Sequence, residues 1–241
     1  MTGILVWFTG LPASGKTTLA GAVRARLAQQ EVPACLLDSD HVRSALWPDL
    51  DYGPAARDQF YARLVRLGAF LAEQGLVVLV AATAHRREYR TRARESVAHL
   101  IEVHVRTSIE TCESRDFKGL YSAARSGEIA DLPGLGADYE VPGDPEITAS
   151  GGRDDQAVDA IVQLVERLTG STEPQSGASP PPGTVSDRGA DPSAVQLESA
   201  LDLAMSHFEA FAVQAEPTRS VDYIGVFLRA AAFHLKSYRQ P

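Results

Sequence analysis

Ile4-Leu5-Val6-Trp7-Phe8-Thr9-Gly10-Leu11-Pro12-Ala13-Ser14-Gly15-Lys16-Thr17 is the stretch on which the fold turns. Its apolar first half, Ile4 to Phe8, reads as a buried strand. Gly10 to Thr17 spell G-x-x-x-x-G-K-[ST], and Thr18 to Gln29 is helix-like. Strand, loop and helix in that order form the setting that a phosphate-binding P-loop requires. The glycines let the backbone curl until its N–H groups point inward, and the helix N-terminus behind them adds partial positive charge. Lys16 is then the cation for the β- and γ-phosphates of a nucleoside triphosphate, and Thr17 the hydroxyl for Mg²⁺. An accidental Gly-rich turn accounts for neither the flanking elements nor the intact Gly-Lys-Thr.

Composition bounds what surrounds this loop. The chain has 241 residues, of which 44% are hydrophobic and 22% charged, which suits one α/β core with an appendage. Its two cysteines, Cys35 and Cys112, form neither a disulfide framework nor a metal cluster, so a reducing compartment is expected. The first apolar segment is needed as the P-loop strand, and no run approaches the ~20 apolar residues of a membrane span. A net charge of -8 argues against a nucleic-acid binder. The expectation is a cytoplasmic protein with neither membrane nor nucleic acid as partner.

Three further apolar runs follow Ile4 to Phe8: Ala34 to Leu37, Leu76 to Val80, and Ile101 to Val105. Helix-length segments separate them, which predicts a parallel sheet covered on both faces, a three-layer P-loop NTPase sandwich. One of these segments, Ala55 to Gln74, carries Phe60, Leu64, Leu67 and Leu71 at helical spacing. Ligands of such sheets collect at the C-terminal strand ends, here the P-loop, Asp38-Ser39-Asp40, and Ala81 to His85. A helix from Asp154 to Leu168 closes a domain over residues 1–169. Residues 170–193, including Pro180-Pro181-Pro182-Gly183, bury too little apolar surface to fold and read as a linker. Over residues 194–240 two amphipathic stretches, Ala194 to Phe211 and Val221 to Tyr238, flank Pro217 and predict a helical hairpin. A unit of that size rarely stands alone, so it is expected to pack on the P-loop domain, on a second copy in a homodimer, or on a pathway partner.

Asp38 and Asp40 stand at i, i+2 on the second strand end. Such a pair can face the phosphate pocket, one ordering Mg²⁺ waters and one accepting a hydroxyl proton. An Asp-rich strand end also simply caps the following helix. Arg43, one helical turn on, can hold an anionic acceptor. Arg115, Lys118 and Arg125 lie after the fourth strand, on a segment able to close over a transferring phosphoryl group. Read blandly, they are a solvated helix face.

Taken together, these stretches resemble one family. Residues 4–146 look like adenylylsulfate kinase (APS kinase), which phosphorylates the ribose 3′-hydroxyl of adenosine 5′-phosphosulfate (APS) from Mg-ATP to give PAPS. The resemblance runs through Phe8-Thr9-Gly10-Leu11, Leu37-Asp38-x-Asp40-x-Val42-Arg43 and Gly75-Leu76-Val77-Val78. It continues in Cys112-Glu113-Ser114-Arg115-Asp116-x-Lys118-Gly119-Leu120-Tyr121, Ala124-Arg125-x-Gly127-Glu128-Ile129, Tyr139-Glu140-x-Pro142 and Pro145-Glu146. It implies ATP on Gly10, Ala13, Ser14, Gly15, Lys16, Thr17 and Thr18 with Arg115, and Mg²⁺ on Thr17. By the same resemblance Asp40 is the base or hydroxyl orienter, Asp38 its support, and Lys16 catalytic. Arg43 and Arg57 match arginines that grip the acceptor nucleotide, and Arg115, Lys118 and Arg125 belong to the lid.

Departures from the family gather where the acceptor binds. Tyr52 stands for a phenylalanine that stacks on adenine, and Phe60 for an asparagine. Thr83-Ala84-His85-Arg86-Arg87 replaces Ile-Ser-Pro-Phe-Arg, and Leu132-Pro133-Gly134-Leu135-Gly136 replaces Phe-Thr-Gly-Ile-Asp. Losing one ring of a base sandwich removes roughly 1–3 kcal/mol of stacking. Tyr52, Phe60, His85 and Leu132 are therefore the residues expected to set acceptor identity. The leading expectation is a kinase acting on a small anionic acceptor, a nucleotide and above all APS. One alternative is the same chemistry on another activated nucleotide, such as a cytidine diphosphoramidate-like compound, or on an intermediate of specialised metabolism. The other is a non-catalytic ATP-binding regulator that presents its C-terminal helices.

Overall fold

The computed structural model describes residues 3–170; the expected linker and helical hairpin lie outside the described residues. Strand β1 (Ile4–Thr9) is buried along its length. It feeds two cores, because successive Cβ atoms on a strand point to opposite faces. Ile4, Val6 and Phe8 pack with Leu19, Val23 and Leu27 of α1 (Lys16–Gln29) and with Ile161 and Val165 of α7 (Asp155–Gly170). Leu5 and Trp7 enter the opposite core, with Phe60 and Leu64 of α3 (Pro54–Glu73) and Tyr89 of α4 (Arg87–Glu95). The predicted three-layer α/β sandwich is thus written into the alternation of one strand.

The sheet runs β2 (Ala34–Asp38), β3 (Val77–Ala81), β1, β4 (Leu100–Val105), β7 (Ile147–Ala149), with every pairing parallel. Four of these strands are the expected apolar runs. The fifth has three residues, too few to show a period, and it completes the edge beside β4 through Val103↔Ile147 and Val105↔Ala149. Parallel order brings every C-terminal strand end to one side. There β1 runs into the P-loop, β2 into α2 (Ser39–Leu46), and β4 into α5 (Ile109–Ser114) and α6 (Leu120–Arg125). A short pair, β5 (Leu132–Pro133) and β6 (Gly136–Ala137), follows α6. Cys112, Tyr121 and Leu132 form a small separate core there, packed against Leu11 and Ala13 of the P-loop. Both Cys35 and Cys112 are free thiols. No helix among the described residues is long and apolar enough to cross a membrane.

Candidate active site

A cleft of about 980 Å³ opens at the C-terminal strand ends. On one side lies the P-loop, whose shape is set by its main chain. Gly15 has φ 102°, and a Cβ there would sit 2.6 Å from the Gly152 nitrogen. Two separate reasons therefore demand glycine. Ala13 also takes a left-handed conformation, φ 58°. Helix α1 starts with no side-chain cap and no acidic residue in its first turn. Its leading N–H groups are left for an anion, which the helix dipole favours. Lys16 is buried and donates to the carbonyls of Gly10 at 3.1 Å and Leu11 at 2.7 Å. Burial pulls its pKa down to about 8 against the opposing pull of Asp40.

Asp38 serves two neighbours. Its Oδ1 caps α2, accepting from the Asp40 and His41 amides at 3.1 and 3.2 Å, while its Oδ2 accepts from Thr17 Oγ1 at 2.6 Å. This carboxylate therefore caps α2 and contacts the P-loop threonine at the same time. Asp40, freed from capping, pairs with Lys118 Nζ across the cleft. Burial works against that ammonium, but the hydrogen bond and charge of Asp40 outweigh it and raise the Lys118 pKa. The turn between α5 and α6 is held by Asp116, whose carboxylate accepts from Leu120 N at 2.8 Å and Ser122 N at 2.9 Å. Tyr121 Oη donates to Pro12 O at 3.0 Å, tying α6 to the P-loop. Phe117, in the turn before α6, lines the cleft and is 81% exposed.

The far side of the cleft is built from side chains. Arg43 is buried between two rings, 3.9 Å from the Phe60 centroid and 4.6 Å from that of Tyr52, and donates to Asp51 O at 2.9 Å. Burial lowers its pKa. Phe60 belongs to the core at 2% exposed, edge-on to Trp47 and Tyr61, while also lining the cleft. Arg57 reaches Asp131 at 3.5 Å. His85 is buried, and desolvation, reinforced by Arg57 and Arg86, pushes its pKa down to about 4. It is a neutral imidazole at neutral pH, not an anion-binding cation.

Most of the residues singled out from the sequence meet here. Ala13, Gly15, Lys16, Thr17, Thr18, Asp38, Asp40, Arg43, Tyr52, Arg57, Phe60, His85, Arg115, Lys118 and Leu132 all line the cleft. Gly10 and Ser14 lie beneath it as P-loop support. Arg125 stands apart from the lining, tying α6 to α5 through Glu113 at 2.7 Å. Leu132 is largely absorbed into the small core it forms with Cys112 and Tyr121. Sequence reasoning missed three contributors. Ser150-Gly151-Gly152-Arg153, after β7, closes over Gly15 and Thr18. Thr107 Oγ1 supports the P-loop by donating to Ser14 O at 2.9 Å. Tyr61 Oη accepts from the Ala84 amide at 2.8 Å. The glycine pair Gly151-Gly152 was the one readable signal among them.

Known proteins share this fold and much of this sequence. A family model described as adenylylsulphate kinase matches residues 2–150. An adenylyl-sulfate kinase of Vibrio vulnificus (strain YJ016) is 44% identical over 168 residues, covering 68% of this chain and 80% of its own length. The structure of Mycobacterium tuberculosis APS kinase CysC in complex with AMPPNP and APS is similar with a TM-score of 0.62 at 36% identity, over 70% of this chain and 98% of that one. A hexameric APS kinase from Thiobacillus denitrificans matches with a TM-score of 0.50 at 27% identity, over 70% of this chain and 29% of that one.

Proposed function

As the chain belongs to the adenylylsulphate kinase family, and is thus an ATP-dependent phosphotransferase with a hydroxyl acceptor, we propose that its acceptor is the ribose 3′-hydroxyl of APS. One observation carries the assignment of roles: Asp40 lies in the same cleft as the P-loop lysine and is bridged by the lid lysine. Lys16 exchanges its P-loop carbonyls for the β- and γ-phosphates and neutralises charge on the transferring group. Asp40 orients the attacking hydroxyl and takes its proton, and an acceptor entering the cleft draws Lys118 onto its own anionic group. Asp38 fixes the Thr17 hydroxyl. Thr17 and Asp38 offer the hard oxygen donors that Mg²⁺ takes alongside waters and phosphates, and the ion when bound spreads the γ-phosphate charge. Arg43, Arg57 and Tyr52 receive the acceptor, and Arg115 joins the ATP side.

The experiment is ADP release from Mg-ATP with APS, followed by mass spectrometry of the product. PAPS formation supports the proposal. Turnover of another acceptor in a panel with none of APS defeats it. Such an outcome favours the second reading, another activated nucleotide such as a cytidine diphosphoramidate-like compound. That reading is supported by Leu132, which carries no ring and is packed beneath the lid, and by Phe60, which offers no amide.

A further inference from the structure

Opposite the P-loop, two loops distant in sequence are joined by one buried guanidinium. Arg90 of α4 is 3% exposed. Its Nη1 donates to Ala84 O at 2.5 Å and its Nη2 to Glu140 O at 2.6 Å. Its Nε lies 2.8 Å from Glu102 Oε1 on β4, so a carboxylate balances the charge and anchors the fork to the sheet. A planar fork can reach two carbonyls through its Nη groups while its Nε edge faces a carboxylate as an ion pair, and an ammonium cannot reproduce that spread.

The segment it holds is strained. Ala84 has φ 42°, in the left-handed region that a Cβ disfavours. Its amide is fixed by Tyr61 Oη at 2.8 Å, and the preceding carbonyl, Thr83 O, accepts from Thr9 Oγ1 at 2.7 Å. Thr9 Oγ1 also meets Tyr139 Oη at 3.0 Å, and Glu140 N donates to His85 O at 2.8 Å. Thr83 and His85 line the cleft. A non-glycine residue kept in such a conformation by surrounding bonds, within a cleft wall, motivates a functional reading.

We propose that Arg90 is a positioning residue for acceptor binding: by bridging the Ala84 and Glu140 carbonyls it sets the Thr83–His85 wall against which the acceptor lies. This rests on the reading that this half of the cleft takes the acceptor. Arg94 supplies the control. It shares Glu102 at 3.4 Å and pairs with Glu146 at 2.6 Å, and both of its partners among the described residues are carboxylates rather than those carbonyls.

Arg90→Lys and Arg94→Lys in the full chain separate positioning from general support. Arg90→Lys is expected to raise the acceptor KM about tenfold with the ATP KM within about twofold, as a displaced binding wall does. It should also speed hydrogen exchange across residues 83–86. Arg94→Lys is expected to lower Tm with neither effect. The proposal is overturned if Arg90→Lys changes Tm alone, raises both KM values equally, or leaves exchange at 83–86 unaltered. Should Arg90→Lys not fold, Tyr61→Phe removes the partner of the Ala84 amide and keeps the ring, and an unchanged acceptor KM there overturns it equally. If the wild-type protein phosphorylates another acceptor and not APS, only the proposed function fails. The KM is then measured on that acceptor, and the exchange difference between the two lysine variants still decides the role of Arg90.

Discussion

The two halves of the cleft are built by different means. The half we assign to the phosphate donor is main chain: carbonyls that hold Lys16, a glycine whose absent Cβ admits Gly152, and a helix start with no side-chain cap. The half we assign to the acceptor is side chain: Arg43 between two rings, His85 and Thr83 on a strained segment, and Arg90 and Tyr61 behind them. A main-chain cradle tolerates few sequences. A side-chain wall can be changed residue by residue while the sheet behind it stays intact. The departures expected from the sequence at Tyr52, Phe60 and His85 accordingly fall on the side-chain wall of the cleft.

The sharpest test of the donor half is Lys16→Ala. Its ammonium contacts two loop carbonyls and belongs to no core, so the variant should fold, whereas transfer should fall by at least about 10²–10³-fold, the scale for removing a group that stabilises transition-state charge. Circular dichroism and ADP release read the two separately, and near wild-type turnover in a folded variant would exclude the phosphate role of Lys16.

Asp40→Asn tests the junction of the halves. An amide keeps the shape and removes the proton acceptor, so kcat should drop on the order of 10² to 10⁴-fold while the ATP KM holds. A loss below about threefold would move the role to Asp38, although the 2.6 Å bond from Thr17 and the helix cap already engage that carboxylate.

These contrasts explain what could be read beforehand. The P-loop, four strands and the long α3 stripe are encoded by local pattern, because spacing alone decides which face a side chain takes. Strand β7 escaped because Ile147–Ala149 is too short to carry a period. Phe60 was readable both as a stripe residue and as a cleft residue, and it is packed in the core while also lining the cleft. The bracing by Arg90 was invisible: its partners Ala84, Glu102 and Glu140 are joined only by the fold.

Titration sharpens the comparison from the donor side. With its pKa near 8, Lys16 is charged below that pH and neutral above it, so kcat/KM for ATP should fall as pH rises through about 8, approaching tenfold per unit. Bound phosphates favour the charged form, so the corresponding limb in kcat should lie higher. His85, already neutral above about 4, should leave the acceptor KM without a histidine limb between pH 5 and 8. A pH profile in both substrates checks the two halves at once.

On the acceptor side, Phe60→Leu keeps most of the core volume and removes the ring 3.9 Å from Arg43. Losing a cation–π contact worth about 0.5–2 kcal/mol should loosen Arg43 and raise the acceptor KM about three- to tenfold, with the ATP KM unchanged. Lower Tm with an unchanged acceptor KM would leave Phe60 as core alone.

The smallest effect is expected from removing residues 171–241. Among the described residues, those that line the cleft all lie between Pro12 and Arg153. Helix α7 seals the core through Ile161 and Val165, and its Asp159 meets Arg26 of α1 at 2.6 Å, so a cut after Gly170 spares both halves. We therefore expect kcat and both KM values to stay within about twofold, as for loss of a segment outside a packed domain. Light scattering on both forms reads whether the removed residues hold copies together. An unchanged mass with abolished transfer in a folded truncated protein would mean that residues beyond 170 complete the acceptor half, the half that side chains build.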